Sequence, residues 1–290
     1  MSNRRNFFLV SAVISKLSNF RLRIPVVLIL SVFLIQGCTV NNVDIDDDIK
    51  KFFDAQGATG TFGMFDNSRG RFTIHNLDRF KKRYSPASTF KIVNSLVALQ
   101  TGRLTSDSTV IPWDGIVRER PEWNQDLSLY RAFRVSAVPH FQEIARQIGR
   151  DTMKYWLDTL KYGNMKMGKT VDAFWLDNSL QISPDEQLGL VKRLYFRQLP
   201  FRESVQEAVK KMMIQENNTT YQLAYKTGMG TAENGKRIGW MVGWIEENRH
   251  VYPFVLNLEV EKDKESALPE VREKVLKDVL AYIGFFKGIM

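Results

Sequence analysis

Strand-type patterning occupies both ends of this chain and helix-type patterning its middle, and that order restricts the architectures open to it. Gly60–Asp66 and Arg71–His75 are runs of β-branched and aromatic residues around Asn67-Ser68-Arg69-Gly70, which read as a hairpin. Tyr221–Lys226, Arg237–Glu246 and His250–Glu259 repeat the strand character, with Glu246-Glu247-Asn248-Arg249 as a further turn. Between the two groups lie candidate helices at Ser128–Arg134, Pro139–Ile148, Asp151–Leu160, Pro184–Tyr195 and Glu203–Met213, and Pro269–Phe286 closes the chain as another. The order predicts a mixed α/β (α+β) fold: one sheet assembled from both ends, with a helical lobe over about residues 103–215 inserted between them. A cleft is expected at the lobe boundary. With 290 residues, 44% hydrophobic content and no low-complexity stretch, the chain has material for a packed core, which excludes disordered and fibrous classes.

Ser88–Gln100 reads as a buried helix, because Phe90, Ile92, Val93, Leu96, Val97 and Leu99 cover most of its circumference and Gly102 lies just past its end. It holds the only Ser-x-x-Lys of the chain, Ser88-Thr89-Phe90-Lys91. Three residues along a helix put hydroxyl and amine on one face. Apolar neighbours lower an amine's pKa, making Lys91 a candidate base for Ser88; a serine cap beside an ordinary lysine is the plainer alternative. Lys226-Thr227-Gly228 closes a predicted strand before Met229-Gly230, where glycines admit a ligand close to the backbone, and Ser136-Ala137-Val138 lies in a loop between helices.

The formal net charge of +9, from 41 Lys+Arg against 32 Asp+Glu, invites an anionic partner until its location is considered. Arg4, Arg5, Lys16, Arg21 and Arg23 precede the apolar run Ile24–Ile35, with no acid among them. Twelve residues make a helix of about 18 Å against a hydrocarbon core of about 30 Å, so the run reads as an export signal. Ile35-Gln36-Gly37-Cys38 resembles a bacterial lipobox, which implies cleavage before Cys38 and lipidation of its thiol; an ordinary cleaved signal and an uncleaved anchor are the alternatives. Residues 39–290 retain 36 basic and 32 acidic side chains, a net of +4, and no nucleic-acid partner is expected. Residues 1–38 are thus assigned to the signal, 39–59 to an acidic tether and N-terminal helix, and 60–290 to the catalytic domain.

A serine/lysine pair on a helix, a loop serine and a Lys-Thr-Gly strand in this order resemble the penicillin-recognising serine enzymes. Pro86-Ala87-Ser88-Thr89-Phe90-Lys91-Ile92-Val93-Asn94-Ser95-Leu96 is similar to the active-site signature of the class D, oxacillinase-type, β-lactamases. Ser136-Ala137-Val138, Tyr162-Gly163-Asn164, Phe174-Trp175-Leu176 and Lys226-Thr227-Gly228 match further motifs of that family, and the likeness runs from about Gly60 to the C-terminal helix. The resemblance implies the β-lactamase/transpeptidase-like fold, an antiparallel sheet flanked by helices with the active site in the cleft below an all-helical lobe.

It also implies roles. Ser88 is the nucleophile that opens the β-lactam to an acyl-enzyme. Lys91 takes up CO2 as N6-carboxylysine and serves as general base, in a pocket of Val138, Phe141, Trp175 and Leu176 where the Trp175 indole N–H bonds the carbamate. The backbone N–H groups of Ser88 and Met229 form the oxyanion hole. Ser136 relays a proton to the lactam nitrogen, while Lys226, Thr227, Gly228 and Arg272 hold the substrate carboxylate. No cofactor beyond CO2/bicarbonate and no metal are implied; the setting is the periplasm or a lipoprotein anchor of a Gram-negative bacterium, as monomer or homodimer. Met229, Gln181 and Asp177-Asn178 depart from the commoner family residues and, with the loop Thr231–Arg237, bear on substrate preference.

His75, His140 and His250 stand singly, with no metal-binding spacing. No Gly-x-Ser-x-Gly elbow occurs, and Glu233 stands where a dinucleotide loop after Gly228 and Gly230 needs a third glycine. Lys210 and Lys211 read as a solvated helix face. Two rivals share the serine and lysine elements: a penicillin-binding DD-peptidase or transpeptidase, and a β-lactam-sensing receptor domain that stays acylated.

Overall fold

The computed structural model describes residues 42–287, so the expected signal segment and Cys38 lie outside the described residues. The strands are β1 (Val43–Ile45), β2 (Thr59–Asp66), β3 (Arg71–His75), β4 (Val110–Ile111), β5 (Leu127–Ser128), β6 (Ile214–Asn217), β7 (Tyr221–Thr231), β8 (Arg237–Glu247) and β9 (His250–Val260). The helices are α1 (Lys50–Asp54), α2 (Leu77–Lys81), α3 (Lys91–Gln100), α4 (Leu129–Arg134), α5 (Val138–Ile148), α6 (Arg150–Leu160), α7 (Pro184–Tyr195), α8 (Glu203–Met213) and α9 (Leu268–Ile283).

The two strand-rich ends of the chain do meet in one sheet, ordered β1-β3-β2-β9-β8-β7-β6. The joint is β2 against β9, antiparallel, with Gly63 opposite Val255. Its central strands alternate their side chains between two cores, as a pleat of period two requires. On β8, Met241 and Ile245 face a core shared with Phe53 of α1 and Leu276 and Leu280 of α9, whereas Trp240, Val242 and Trp244 face the core of α3, α7 and the helical lobe. All of these side chains are buried, so the hydrophobic run of β8 marks a strand covered on both faces.

Several boundaries differ from those expected, among them the C-terminal helix, which ends at Ile283 rather than Phe286, and β6, a strand that was not expected. The acidic segment read as a tether contributes an edge strand: β1 lies parallel to β3 with Val43 opposite Phe72, and only then does Asp46 cap a short turn, accepting from the Asp48 N–H at 3.1 Å, before α1 begins. The β8–β9 connection is tighter than four residues. Asn248 and Arg249 both take positive φ (53° and 66°), the two-residue geometry whose twist suits an antiparallel pair. Finally, β7 runs on past Gly228 to Thr231, so Lys226-Thr227-Gly228 is mid-strand.

Helix α3 is the axle of the lobe, with Ile92, Val93, Leu96 and Val97 wholly buried and the Asn94 amide donating to the Phe141 carbonyl of α5 at 3.3 Å. The Tyr162-Gly163-Asn164 turn clamps the loop over residues 165–180. Asn164 donates through its backbone to Gln181 O (2.9 Å) and through Nδ2 to Ser179 O (2.9 Å), and its Oδ1 accepts from the Gln181 N–H (3.1 Å). Gly163 has φ +53°, and a Cβ there would stand 2.0 Å from Gln181 O. Gly163→Ala is therefore expected to cost about 2–4 kcal/mol through strain and overlap, lowering the melting temperature by about 5–15 °C in a thermal denaturation series. A shift under about 2 °C would show that the clamp yields.

Candidate active site

Ser88 sits in the 3-10 turn Ala87–Phe90 that leads into α3, not in the helix itself. Ala87 adopts φ +47° and its N–H donates to Trp175 O at 3.1 Å; the Ser85 hydroxyl donates to the same carbonyl at 2.9 Å, and the Trp240 indole donates to Ser85 O at 2.9 Å. The turn is thus strapped to the 165–180 loop on one side and to β8 on the other, which holds an otherwise costly backbone conformation in place. Thr89 Oγ1 donates to Pro86 O and accepts from the buried Gln187 amide of α7, both at 2.7 Å.

Lys91, the first residue of α3, is fully buried, and its Nζ donates to Ser88 Oγ at 2.8 Å. The pairing expected from the three-residue spacing is therefore made across the junction of turn and helix. Burial, with a smaller push from the charge of Arg120, pulls the Lys91 pKa down to about 7. A lysine here is uncharged in a large fraction of molecules at neutral pH. Phe141 lies beneath it, with the ring centroid 5.2 Å from Nζ. Trp175 is wholly buried and stacks on Phe90 at 5.5 Å and 26°, with Phe174 edge-on to both. Its Nε1 is buried with no hydrogen-bond partner among the described residues. Val138, at the start of α5, and Leu176 are half-buried.

A second serine/lysine pair faces the first. Ser136, with φ +55° in the three-residue link between α4 and α5, accepts from Lys226 Nζ at 3.1 Å, and that Nζ also donates to Thr227 O at 3.1 Å. Lys226 is buried beside Phe133, so desolvation, and then the positive charges of Lys91, Arg272 and Arg134, hold its pKa well below the usual lysine value. Strand β7 comes this near because of Gly228: a Cβ there would stand 3.0 Å from Pro86 O and 3.1 Å from Thr89 Cγ2.

Arg272 of α9 reaches under the sheet and donates to Gly228 O at 3.1 Å, which places the guanidinium at the strand carrying Lys226 and Thr227. Burial lowers its pKa to about 10, leaving it charged at neutral pH. Met229 is half-buried with its side chain in the α9 core, so the cleft side of β7 carries no bulky group at that position. The Gln181 amide donates to Glu233 at 3.0 Å, joining the end of the 165–180 loop to the loop after β7.

The histidines serve structure: His75 is buried in β3, His140 Nε2 lies 3.0 Å from Gln125 O, and His250 opens β9. Among the described residues no group of three or more His, Cys, Asp or Glu side chains is placed to hold a metal ion. Lys210 is less free than expected: it bonds Glu207 at 3.0 Å and lies 4.6 Å from the Tyr195 ring. Two residues near the site had no signal in the pattern of the sequence, Arg120 and Trp123; the Trp123 indole donates to Val135 O at 3.1 Å, next to Ser136.

The arrangement offers a hydroxyl bonded to a buried amine whose pKa is lowered to about 7, a second hydroxyl–amine pair, and a guanidinium on the strand that carries the second amine. Comparisons with known proteins identify the family. Residues 57–281 match the family of the penicillin binding protein transpeptidase domain. Probable β-lactamase YbxI of Bacillus subtilis (strain 168) is 40% identical over 220 residues, 76% of this chain and 79% of that one. The crystal structure of FUS-1 (OXA-85), a class D β-lactamase from Fusobacterium nucleatum subsp. polymorphum, superposes with a TM-score of 0.79 at 35% identity, covering 84% of this chain and all of that one. The C-terminal domain of the Bacillus licheniformis BlaR penicillin-receptor superposes comparably, with a TM-score of 0.80 at 32% identity over 86% of this chain and all of that one. On fold, motif order and extent of identity, the chain belongs to the class D β-lactamases, hydrolases built on the penicillin-binding transpeptidase domain.

Proposed function

We propose that the chain hydrolyses the β-lactam amide of penicillins and related compounds through an ester on Ser88, with Lys91 in its N6-carboxylated form as the base. The observation that carries the reading is the pairing of a buried amine, its pKa lowered to about 7, against Ser88 with a buried indole N–H that has no acceptor among the described residues. An uncharged amine is what CO2 requires, and the Trp175 N–H is what an anion at the end of Lys91 requires. The residues present therefore fit the modification. CO2 bound on Lys91 supplies a carboxylate base beside Ser88.

The side chains then have the following work. Ser88 Oγ loses its proton toward Lys91 and attacks the lactam carbonyl carbon, while the Ser88 and Met229 N–H groups receive the developing oxyanion. The carbon–nitrogen bond breaks, and the proton taken up at the Lys91 end passes by way of Ser136, bonded to Lys226, to the departing nitrogen, so that the base is free again. Lys226, Thr227, Gly228 and Arg272 hold the substrate carboxylate throughout. Water next attacks the ester carbonyl, giving its proton at the Lys91 end, and Ser88 is regenerated as the penicilloic acid leaves. Val138, Phe141, Trp175 and Leu176 keep competing water from the pocket and the Lys91 amine uncharged. The lipobox-like end of the signal supports export with Cys38 lipidated, hence a periplasmic or membrane-anchored enzyme of a Gram-negative bacterium, as monomer or homodimer.

The test is steady-state hydrolysis of a chromogenic cephalosporin by the purified protein, with and without bicarbonate, from pH 5.5 to 8.5. The amine protonates as pH falls through about 7, and only the uncharged form adds CO2. Without bicarbonate the rate is therefore expected to be about tenfold lower at pH 6 than on the plateau above pH 8, with added bicarbonate restoring most of it. A flat profile with no bicarbonate response would remove Lys91 as the modified base. A penicilloyl adduct that outlives the assay, without turnover, would favour a sensor like the BlaR receptor domain.

A further inference from the structure

Arg120 lies between β4 and β5, on the loop that Trp123 ties to the link carrying Ser136. It is exposed, and its guanidinium carbon stands 5.1 Å from the Trp123 ring centroid. The loop is fixed at this point: the Trp123 N–H donates to Arg120 O at 3.0 Å, and the Trp123 indole donates to Val135 O at 3.1 Å, one residue before Ser136. Neighbouring Arg118 is consumed by the loop itself, bonding Asp114 at 2.8 and 2.6 Å and Ile116 O at 2.9 Å. Arg120 is not so consumed. Glu119 and Glu122 lie close to it in sequence, yet among the described residues its guanidinium has no ion pair and rests on the Trp123 ring. Its charge is nonetheless felt by Lys91, beside Ser88, and by Arg272, beside Gly228, as a cation at the cleft mouth would be.

The substrate's own carboxylate is already matched by Lys226, Thr227 and Arg272, so a further uncompensated cation at the cleft calls for a second anion. We propose that Arg120, held over Trp123 beside Ser136, binds an anionic group on the acyl side chain of the substrate, so that the cleft favours β-lactams carrying a second carboxylate. This rests on the β-lactam reading of the site. A guanidinium braced on an indole is pre-organised for a carboxylate, and placing it at the mouth lets it act on encounter as well as in the complex.

The matched probes are benzylpenicillin and α-carboxybenzylpenicillin, which differ by one carboxylate. The quantity read is the ratio of their second-order acylation rates, from time-resolved intact mass, alongside the ratio of kcat/KM. Arg120→Gln is expected to lower the carboxylated-to-plain ratio about tenfold, and Arg120→Glu to lower it further. Raising salt to 0.5 M should lower the wild-type ratio but not that of Arg120→Gln, because a mouth-exposed charge is screened. A ratio unchanged by both substitutions, or a fall of both rates together that leaves it unchanged, overturns the proposal. The acylation ratio is measurable even if the ester never hydrolyses, so failure of turnover would count against the hydrolase mechanism while still deciding the role of Arg120.

Discussion

Lys91→Ala is expected to lower the turnover of benzylpenicillin by at least about a thousandfold and to leave a penicilloyl mass on Ser88 that persists for hours. A positioned general base contributes about 10²–10⁴ to a proton-transfer step, and in the proposed cycle the Lys91 end serves both the attack by Ser88 and the later attack by water. Deacylation suffers most, because water, unlike the strained lactam, brings no reactivity of its own. The substitution should not unfold the protein. Removing the wholly buried lysine forfeits the packing of its alkyl stem, but it also removes an amine whose charged form is poorly tolerated at that depth; the two terms oppose each other. A melting curve beside the mass measurement separates loss of chemistry from loss of fold. Turnover within about tenfold of wild type would place the base elsewhere.

That such a site can be outlined from residue order alone follows from what each motif does. Ser88 and Lys91 are three apart, and any turn or helix there brings their side chains together, so their 2.8 Å contact was legible even though Ser88 occupies a 3-10 turn. Strands β8 and β9 were legible because burial on both faces calls for continuous runs of apolar, β-branched and aromatic residues. Strand β1 was not: three residues, Asp44 among them, followed by three more aspartates carry too little periodicity, and the strand exists because β3 offers it an open edge. The length of β7 was hidden for a related reason. Gly228 and Gly230 look like the end of a strand, whereas the glycine at 228 is there so that the strand can continue past Pro86. The Tyr162-Gly163-Asn164 motif showed its presence but not its purpose, which is to pin the loop carrying Trp175. Arg120 and Trp123 belong to a loop whose composition is ordinary; only the fold carries them to the cleft.

Trp175→Phe isolates one hydrogen-bond donor, and its outcome separates a functional indole from a structural one. Phenylalanine keeps an aromatic ring against Phe90 and Phe174 while deleting the buried N–H that lacks a partner among the described residues. An unsatisfied buried donor costs about 1–3 kcal/mol, so if the N–H had no task its removal would offset part of the packing lost and leave turnover unchanged. If the N–H holds an anion on Lys91, its loss forfeits a charged hydrogen bond of about 1.5–3 kcal/mol, and turnover at ambient CO2 should fall by about 10–100-fold. Mass action then supplies the discriminating readout. The variant's weaker hold on CO2 can be overcome by supplying more of it, so bicarbonate should restore most of the lost rate and stimulate the variant far more than the wild type. A slow variant that bicarbonate does not rescue would instead mean that the substitution has disturbed the strap through which Trp175 O holds Ser85 and Ala87, and with it the position of Ser88 itself.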